Sequence, residues 1–335
     1  MGLSGGVDSS LAALLLKDAG YDVVGVYLFS SLSRDESDSA AAAAEFCGIP
    51  FEKADITREL EEKVCSYFVN EYCSGATPSP CIVCNPKVKF KALFDAADRH
   101  GARYVATGHY ARMGLTEKGE RAIFTGIGRN DQSYMLCRMG RELYSRLLFP
   151  LGGFSKDEVR SMAAERGIPT ADKPDSMEIC FIPSDDRIGF IESRIGSAEK
   201  LKGNFVDDGG RILGPHLGIH RYTVGQRKRL GIALGYPAYV SRIDPGTNSV
   251  VLTPSGGEYD TTVRVSDCIW HLECGEEFEA DIRVRHSAGF TRGIVRKKGT
   301  GAELYFENGV RAAAPGQFAV FYVNGAIAGS GRIEG

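Results

Sequence analysis

Ser4-Gly5-Gly6-Val7-Asp8-Ser9-Ser10 opens directly onto a helical run, Ser9 to Ala19, with Leu11, Leu14 and Leu15 on one face and Gly20 as its stop. Two glycines let a backbone approach an anion closely. The first amides of a helix point at such an anion with the positive end of the helix dipole. Ser9 and Ser10 offer hydroxyl donors. Asp8 is out of place in a simple anion site, because a carboxylate repels phosphate unless a metal bridges the two. The set therefore suits a magnesium pyrophosphate. A glycine turn with a Ser/Asp helix cap is the plainer alternative. A Walker loop is excluded, since no Gly-Lys-Ser/Thr follows.

Outward from this loop, the first half alternates helix and strand in the α/β manner. Strands are expected at Val23 to Phe29, Phe51 to Ala54 and Tyr104 to Thr107. Helices are expected at Ser39 to Cys47, Thr57 to Tyr72 and Lys87 to His100. Ser155 and Glu158 form a capping box for a helix reaching about Arg166. Beyond residue 190 the texture becomes all-β, with short alternating runs at Ala238 to Val240, Ser249 to Thr253, Asp281 to Val284 and Gln317 to Val323. Turns such as Asp244-Pro245-Gly246 and Asn324-Gly325 separate them. A small barrel suits the last 75 or so residues. With 335 residues, the expected division is 1–190, 191–256 and 257–335.

The net charge is −3, so any nucleic-acid site must be a local patch. Two exist. Arg221, Arg227, Lys228 and Arg229 stand without an acid between 219 and 231, and residues 281–311 carry seven basic residues against three acidic ones. The counterweight is 31–71, with ten carboxylates and four basic residues. The start lacks a signal peptide's basic end and apolar core, and no window approaches the roughly 18 apolar residues of a membrane span. A cytoplasmic protein with no membrane partner is expected. Nine scattered cysteines point to buried or reactive thiols rather than a disulfide framework.

Thr77-Pro78-Ser79-Pro80-Cys81-Ile82-Val83-Cys84-Asn85 is a proline-stiffened loop leading to the helix expected at Lys87. A thiol at a helix N-terminus has its thiolate stabilised, which here predicts an activated Cys84. Cys180 lies in a second loop, Asp175 to Ile182. A zinc knuckle needs a second Cys-x-x-Cys, and none exists.

The loop at Ser4–Ser10 resembles the PP-loop of ATP pyrophosphatases. Further strings extend the resemblance along almost the whole chain to the bacterial tRNA-specific 2-thiouridylases (tRNA-uridine 2-sulfurtransferases). They are Thr77 through Phe90, Ala106 to Arg112, Asn130-Asp131-Gln132-Ser133-Tyr134, Asp175 to Ile182, Thr223 to Lys228, and Pro315 to Tyr322. The resemblance implies a Rossmann-like PP-loop domain with a mostly parallel sheet, a small central domain and a C-terminal β-barrel. It implies ATP and Mg2+ as cofactors, with ATP held by Gly2, Leu3, Ser4, Gly5, Gly6, Val7, Asp8, Ser9, Ser10, Leu28 and Gly108. The partners it implies are a tRNA with a wobble uridine and a sulfur-donor protein carrying a persulfide. Cys84 is then the nucleophile, Cys180 carries the persulfide and Asp8 serves the reaction with ATP. Contacts to tRNA fall to Ser79, Pro80, Cys81, Asn130, Asp131, Gln132, Arg227, Lys228, Arg283 and Arg285. The competing readings are a non-catalytic RNA- or nucleotide-binding relic and another PP-loop tRNA-modifying enzyme.

Two departures from the family pattern carry expectations. Only Met1-Gly2-Leu3 precede the loop, where the family has a full central strand. The first strand is expected to be truncated, leaving its neighbours without a ladder partner, with the true start upstream. Cys81 stands where other members have aspartate. Cys81, Cys84 and Cys180 would then be three ligands of a [4Fe–4S] cluster, an alternative route for sulfur.

Overall fold

A computed structural model describes residues 1–171, 179–182, 186–196 and 201–335. In chain order it begins with α1 (Val7–Asp18), β1 (Gly25–Phe29), α2 (Ser37–Cys47), β2 (Phe51–Asp55), α3 (Thr57–Leu60) and α4 (Ser66–Cys73). There follow α5 (Pro80–Cys84), α6 (Phe90–Arg99), β3 (Val105–Ala106), β4 (Ala111–Leu115), β5 (Arg121–Thr125), β6 (Leu147–Leu148), α7 (Lys156–Glu165) and α8 (Arg187–Ile195). The β-rich part comprises β7 (Gly203–Val206), β8 (Ile212–His216), β9 (Ala238–Asp244), β10 (Ser249–Pro254), β11 (Tyr259–Trp270), β12 (Glu277–Arg283), β13 (Thr291–Lys298), β14 (Gly301–Arg311), β15 (Phe318–Val323) and β16 (Ala326–Ile333). The chain divides into two units, Met1–Val64 with Cys81–Asp185 and Asn324–Ile327, and Cys65–Pro80 with Asp186–Val323 and Ala328–Gly335.

In the first unit β1 pairs in parallel with β2, and β3 with β6. The three residues before the loop join these pairs. Gly2 N–H donates to Ala106 O (2.9 Å), Leu3 N–H to Val26 O (2.8 Å) and Val26 N–H to Met1 O (2.8 Å). The expectation of two unpartnered neighbours is therefore corrected: even a three-residue stub satisfies backbone groups on both sides. It also seats Leu3, 2% exposed, against Ala13, Ala43, Ala44 and Cys47. Alanines on α2 let it lie close to this sheet. On α1, Val7, Leu11 and Ala12 pack with Leu151, Val159, Ala163 and Ile168, which fixes α7 beside α1. The expected caps are present: Ser155 and Glu158 close the capping box of α7, and Gly48 ends α2 at φ 60°.

The helix expected from Lys87 instead begins at Pro80 and passes through a π-type turn over Asn85–Lys89 into α6. Pro86 lacks the amide that an α-turn there needs, so a wider turn accommodates it. Composition had assigned β4 and β5 no strands; they form a hairpin, and Ala326 pairs with Phe124 on it.

The second unit holds a four-stranded sheet in the order β8-β7-β10-β9, with β7 and β10 parallel. Its apolar side buries Phe205, Val240, Val250 and Leu252. Six further strands run β11-β14-β13-β12-β15-β16, and β11 pairs with β16 to close the barrel. Closure removes the exposed strand edges that such alternating strands otherwise present.

Candidate active site

The loop of residues 4–10 lies beyond the carboxyl end of the Met1–Leu3 stub, where open α/β sheets bind ligands. Leu28 stands at the same end of β1, and Gly108 follows β3. Gly5 takes φ 77°, and a Cβ there would meet Ala40 N at 2.7 Å, so only glycine fits. Gly108 is as constrained from the other side, where a Cβ would stand 3.2 Å from the Asp8 and Ser9 backbone. Gly6 caps α1 without a side-chain hydrogen bond, which leaves the first-turn amides for an anion. These features fit a triphosphate. The hydroxyls of Ser9 and Ser10 do not serve as expected: both are buried and donate back to Gly6 O, at 3.0 and 2.9 Å. Ser4 keeps its hydroxyl at the exposed surface, 3.1 Å from Ser9 Oγ.

Asp8 is held by groups that sequence reasoning missed. Lys156 Nζ donates to both of its oxygens at 2.8 Å, and Tyr110 Oη donates to Oδ1 at 2.7 Å. Lys156 is 148 residues away in sequence, so no local pattern links the two. The one usable signal was its place directly after the Ser155 cap, which makes it the first residue of α7. Lys156 offsets the repulsion that Asp8 would exert on phosphate. Mg2+, when bound, would be held by Asp8 and would spread the charge of the phosphates.

The second feature of this unit is a group of three thiols around Lys89. Cys84 is 4% exposed, Cys81 is half-buried and Cys180 is exposed. Each thiol interacts electrostatically with Lys89, and Cys81 and Cys84 both with Cys180. Burial pushes Cys84 up to about 12, against the lowering effects of Lys89 and of a hydrogen bond from the Lys89 backbone N–H. This corrects the expectation of an activated thiolate. Cys84 ends a short helix rather than starting one, and the cost of burying its charge exceeds what one ammonium returns. Burial works against the Lys89 cation too, but the thiols, as they ionise, more than reverse this and bring it to about 12. Lys89 is therefore a cation at neutral pH, and its charge favours the Cys84 thiolate against the cost of burial. His109 is pulled down to about 3 by burial and then by Lys89, so it is neutral. It hydrogen-bonds Thr107 Oγ1 through Nδ1 at 2.7 Å and stacks on Phe90.

Among the described residues, no group of three or more His, Cys, Asp or Glu side chains is arranged to hold a metal ion. The three thiols do not offer the ligand geometry of a cluster, and the iron–sulfur expectation is dropped on that ground. Asp175 to Glu178, part of the Cys180 motif, lie outside the described residues.

The residues expected to meet RNA divide into two kinds. Asp131 is buried, accepting from the Gly126 and Ser133 amides and the Ser133 hydroxyl, while Gln132 Oε1 accepts from Tyr110 N–H. Both shape the loop that carries exposed Asn130. Ser79 is buried and Pro80 opens α5. In the second unit Arg227 and Lys228 are exposed, Arg283 lies over Phe290 at 4.5 Å, and Arg285 lines a cleft of about 300 Å³ with Thr77, Thr223 and Gln317. Arg227 and Arg229 border a second hollow of about 470 Å³. Arg229 there takes φ 60°, a left-handed conformation that glycine adopts far more readily than arginine.

Comparison with known proteins agrees along the whole chain. A family model described as the tRNA methyl transferase HUP domain matches residues 1–184, the tRNA methyl transferase PRC-barrel domain matches 188–254, and the aminomethyltransferase beta-barrel domain matches 260–333. A tRNA-specific 2-thiouridylase MnmA of Sorangium cellulosum is 42% identical, across 99% of this chain and 91% of its own length. One from Carboxydothermus hydrogenoformans is 40% identical over 99% of this chain and 96% of its own. MnmA 2 of Clostridium botulinum strain Hall is 40% identical over 100% and 97%. With family models matching all three regions and relatives 40–42% identical over nearly the whole chain, the chain belongs to the tRNA-specific 2-thiouridylase family.

Proposed function

We propose that this protein is a tRNA-uridine 2-sulfurtransferase, which uses ATP to replace the C2 oxygen of the wobble uridine, U34, by sulfur. The observation that carries the reading is the pairing, in one unit, of a phosphate-binding loop with Cys84 and Cys180 around a shared lysine. A PP-loop alone would support many adenylating enzymes; the thiol pair narrows the chemistry to sulfur transfer.

In this scheme the α1 amides, Gly5 and Ser4 cradle the phosphates while Leu28 and Gly108 border the adenine. The uridine C2 oxygen attacks the α-phosphorus and pyrophosphate leaves, which turns a poor leaving oxygen into AMP. The terminal sulfur of the Cys180 persulfide attacks C2 and AMP departs. Cys84 then attacks the Cys180 sulfur, releasing 2-thiouridine and leaving a Cys84–Cys180 disulfide. Lys89 stabilises the thiolate that Cys84 must form for this step. Exposure of Cys180 gives a sulfur-donor protein access to load it. Asn130, Arg227, Lys228, Arg283 and Arg285 are assigned to the tRNA backbone. The division at 190 and 256 into catalytic, central and barrel domains is supported by the family matches, whose limits fall close to it.

The test is formation of 2-thiouridine on unmodified tRNA with ATP and a persulfide donor, comparing wild type with Cys84→Ser and Cys180→Ser. Both variants should lose activity. Retention by either removes sulfur transfer through this pair.

A further inference from the structure

The thiolation scheme uses two thiols, yet three interact with Lys89. Cys81 and Cys84 lie three residues apart in the turn Pro80–Cys84. That spacing puts two side chains on one helix face with Cβ atoms about 5–6 Å apart. Dithiols at the start of a helix use the same Cys-x-x-Cys spacing for reversible oxidation. Both thiols interact with Cys180 and with Lys89, and all three are free. Exposure increases outward, from Cys84 through Cys81 to Cys180. Among the described residues, no ligand group that includes Cys81 is arranged to hold a metal ion.

We propose that Cys81 is a resolving thiol: it attacks Cys84 Sγ in the Cys84–Cys180 disulfide, so that the oxidised product becomes Cys81–Cys84 and Cys180 is set free. This rests on the sulfur-transfer reading above. The step is a thiol–disulfide exchange without net oxidation. The S–S bond between Cys84 and Cys180 breaks, one between Cys81 and Cys84 forms, and the proton given up by Cys81 is taken by the Cys180 thiolate. Cys180 is the favourable leaving group of the pair because water solvates its exposed thiolate. Cys81 attacks from the same helical turn, where effective concentration far exceeds that of any external thiol. The persulfide can then be reloaded on Cys180 before an external dithiol reductant supplies two electrons to the Cys81–Cys84 disulfide.

The experiment uses the full chain with its Cys180 persulfide preloaded, one equivalent of tRNA, ATP and no reductant. After acid quenching and alkylation, disulfides are mapped by peptide mass spectrometry. Cys81 and Cys84 share the tryptic peptide 64–87 with Cys65 and Cys73, so their disulfide appears as an internal loss of two hydrogens with Cys65 and Cys73 alkylated, whereas Cys84–Cys180 cross-links two peptides. The wild type should give the internal disulfide with alkylated Cys180. Cys81→Ser should shift the oxidised protein to the cross-linked form. Cys81→Asp, with the residue other family members carry, should do the same and guards against a folding defect of the serine variant. Wild-type protein that makes 2-thiouridine yet ends wholly as Cys84–Cys180 overturns the proposal. Absence of 2-thiouridine overturns the sulfur-transfer reading itself.

Discussion

Raising the pH of the free protein from 6 to 11 in the presence of a small alkylating agent sets the ionisation of Cys84 against its burial. Its thiol is pushed from 9.0 up to about 12, mainly because a thiolate would lose its water. At pH 8 this leaves about a thousandfold less thiolate than an ordinary thiol has. A more basic thiolate is more nucleophilic, with a Brønsted slope of about 0.4–0.5, which returns about 1.4 decades. Cys84 should therefore react roughly 40-fold more slowly than an unperturbed thiol, before any steric hindrance is counted. Alkylated peptides counted by mass spectrometry over time give the rate, with exposed Cys180 as the internal comparison. The logarithm of the Cys84 rate should climb with a slope near one through pH 10, without a plateau. Lys89→Met should displace the curve to still higher pH, since the lysine lowers Cys84. A plateau at or below pH 8 would refute the reasoning, because it would mean that burial does not govern this thiol. The same ionisation bears on stability. The folded state holds the Cys84 proton more tightly than the unfolded chain, so the contribution is fully present below about pH 9. It falls as pH rises through about 12, by on the order of 4 kcal/mol.

Lys156→Met removes both 2.8 Å bonds to Asp8; it should cost about 1.5–3 kcal/mol in denaturant unfolding and weaken ATP binding measured by calorimetry. Unchanged stability and affinity would show that the ion pair is idle. His109 is held neutral, down at about 3 from 6.5, so its contribution is complete above pH 6.5 and is lost as pH falls towards 3. His109→Gln should flatten the acid limb of a stability–pH curve over that window; an acid limb like that of the wild type would contradict it. Arg229→Gly relieves a left-handed backbone and should raise stability by about 1 kcal/mol, read as a higher urea midpoint. A lower midpoint would show that contacts of the arginine side chain outweigh the strain.

Much of the first unit was legible before any coordinates. The glycine pair at 5 and 6, the apolar face of α1, the alanines of α2 and the Ser155–Glu158 box are local patterns, and each specifies its own turn or helix through short-range geometry. The helix that carries Cys84 starts earlier than the sequence predicts, because three prolines between 78 and 86 read as a loop. Pro80 instead opens a helix, where its missing amide costs nothing. The run length at Met1–Leu3 predicts a truncated first strand that leaves its neighbours unpartnered, whereas three residues suffice to bond both.

By itself the sequence determined the phosphate loop, the α/β-then-β order and the family, since motif spacing and hydrophobic period are properties of the chain alone. It also divided the −3 charge into an acidic stretch and two basic ones. Only the tertiary structure decided which groups meet. The Lys156–Asp8 pair, Tyr110 on the same carboxylate and the three thiols around Lys89 join segments that no sequence period connects. The structure also reversed the sign of one prediction. Proximity to lysines and a helix end argued for an activated Cys84, but the cost of taking its charge out of water depends on burial, which is settled only when the chain has packed around it.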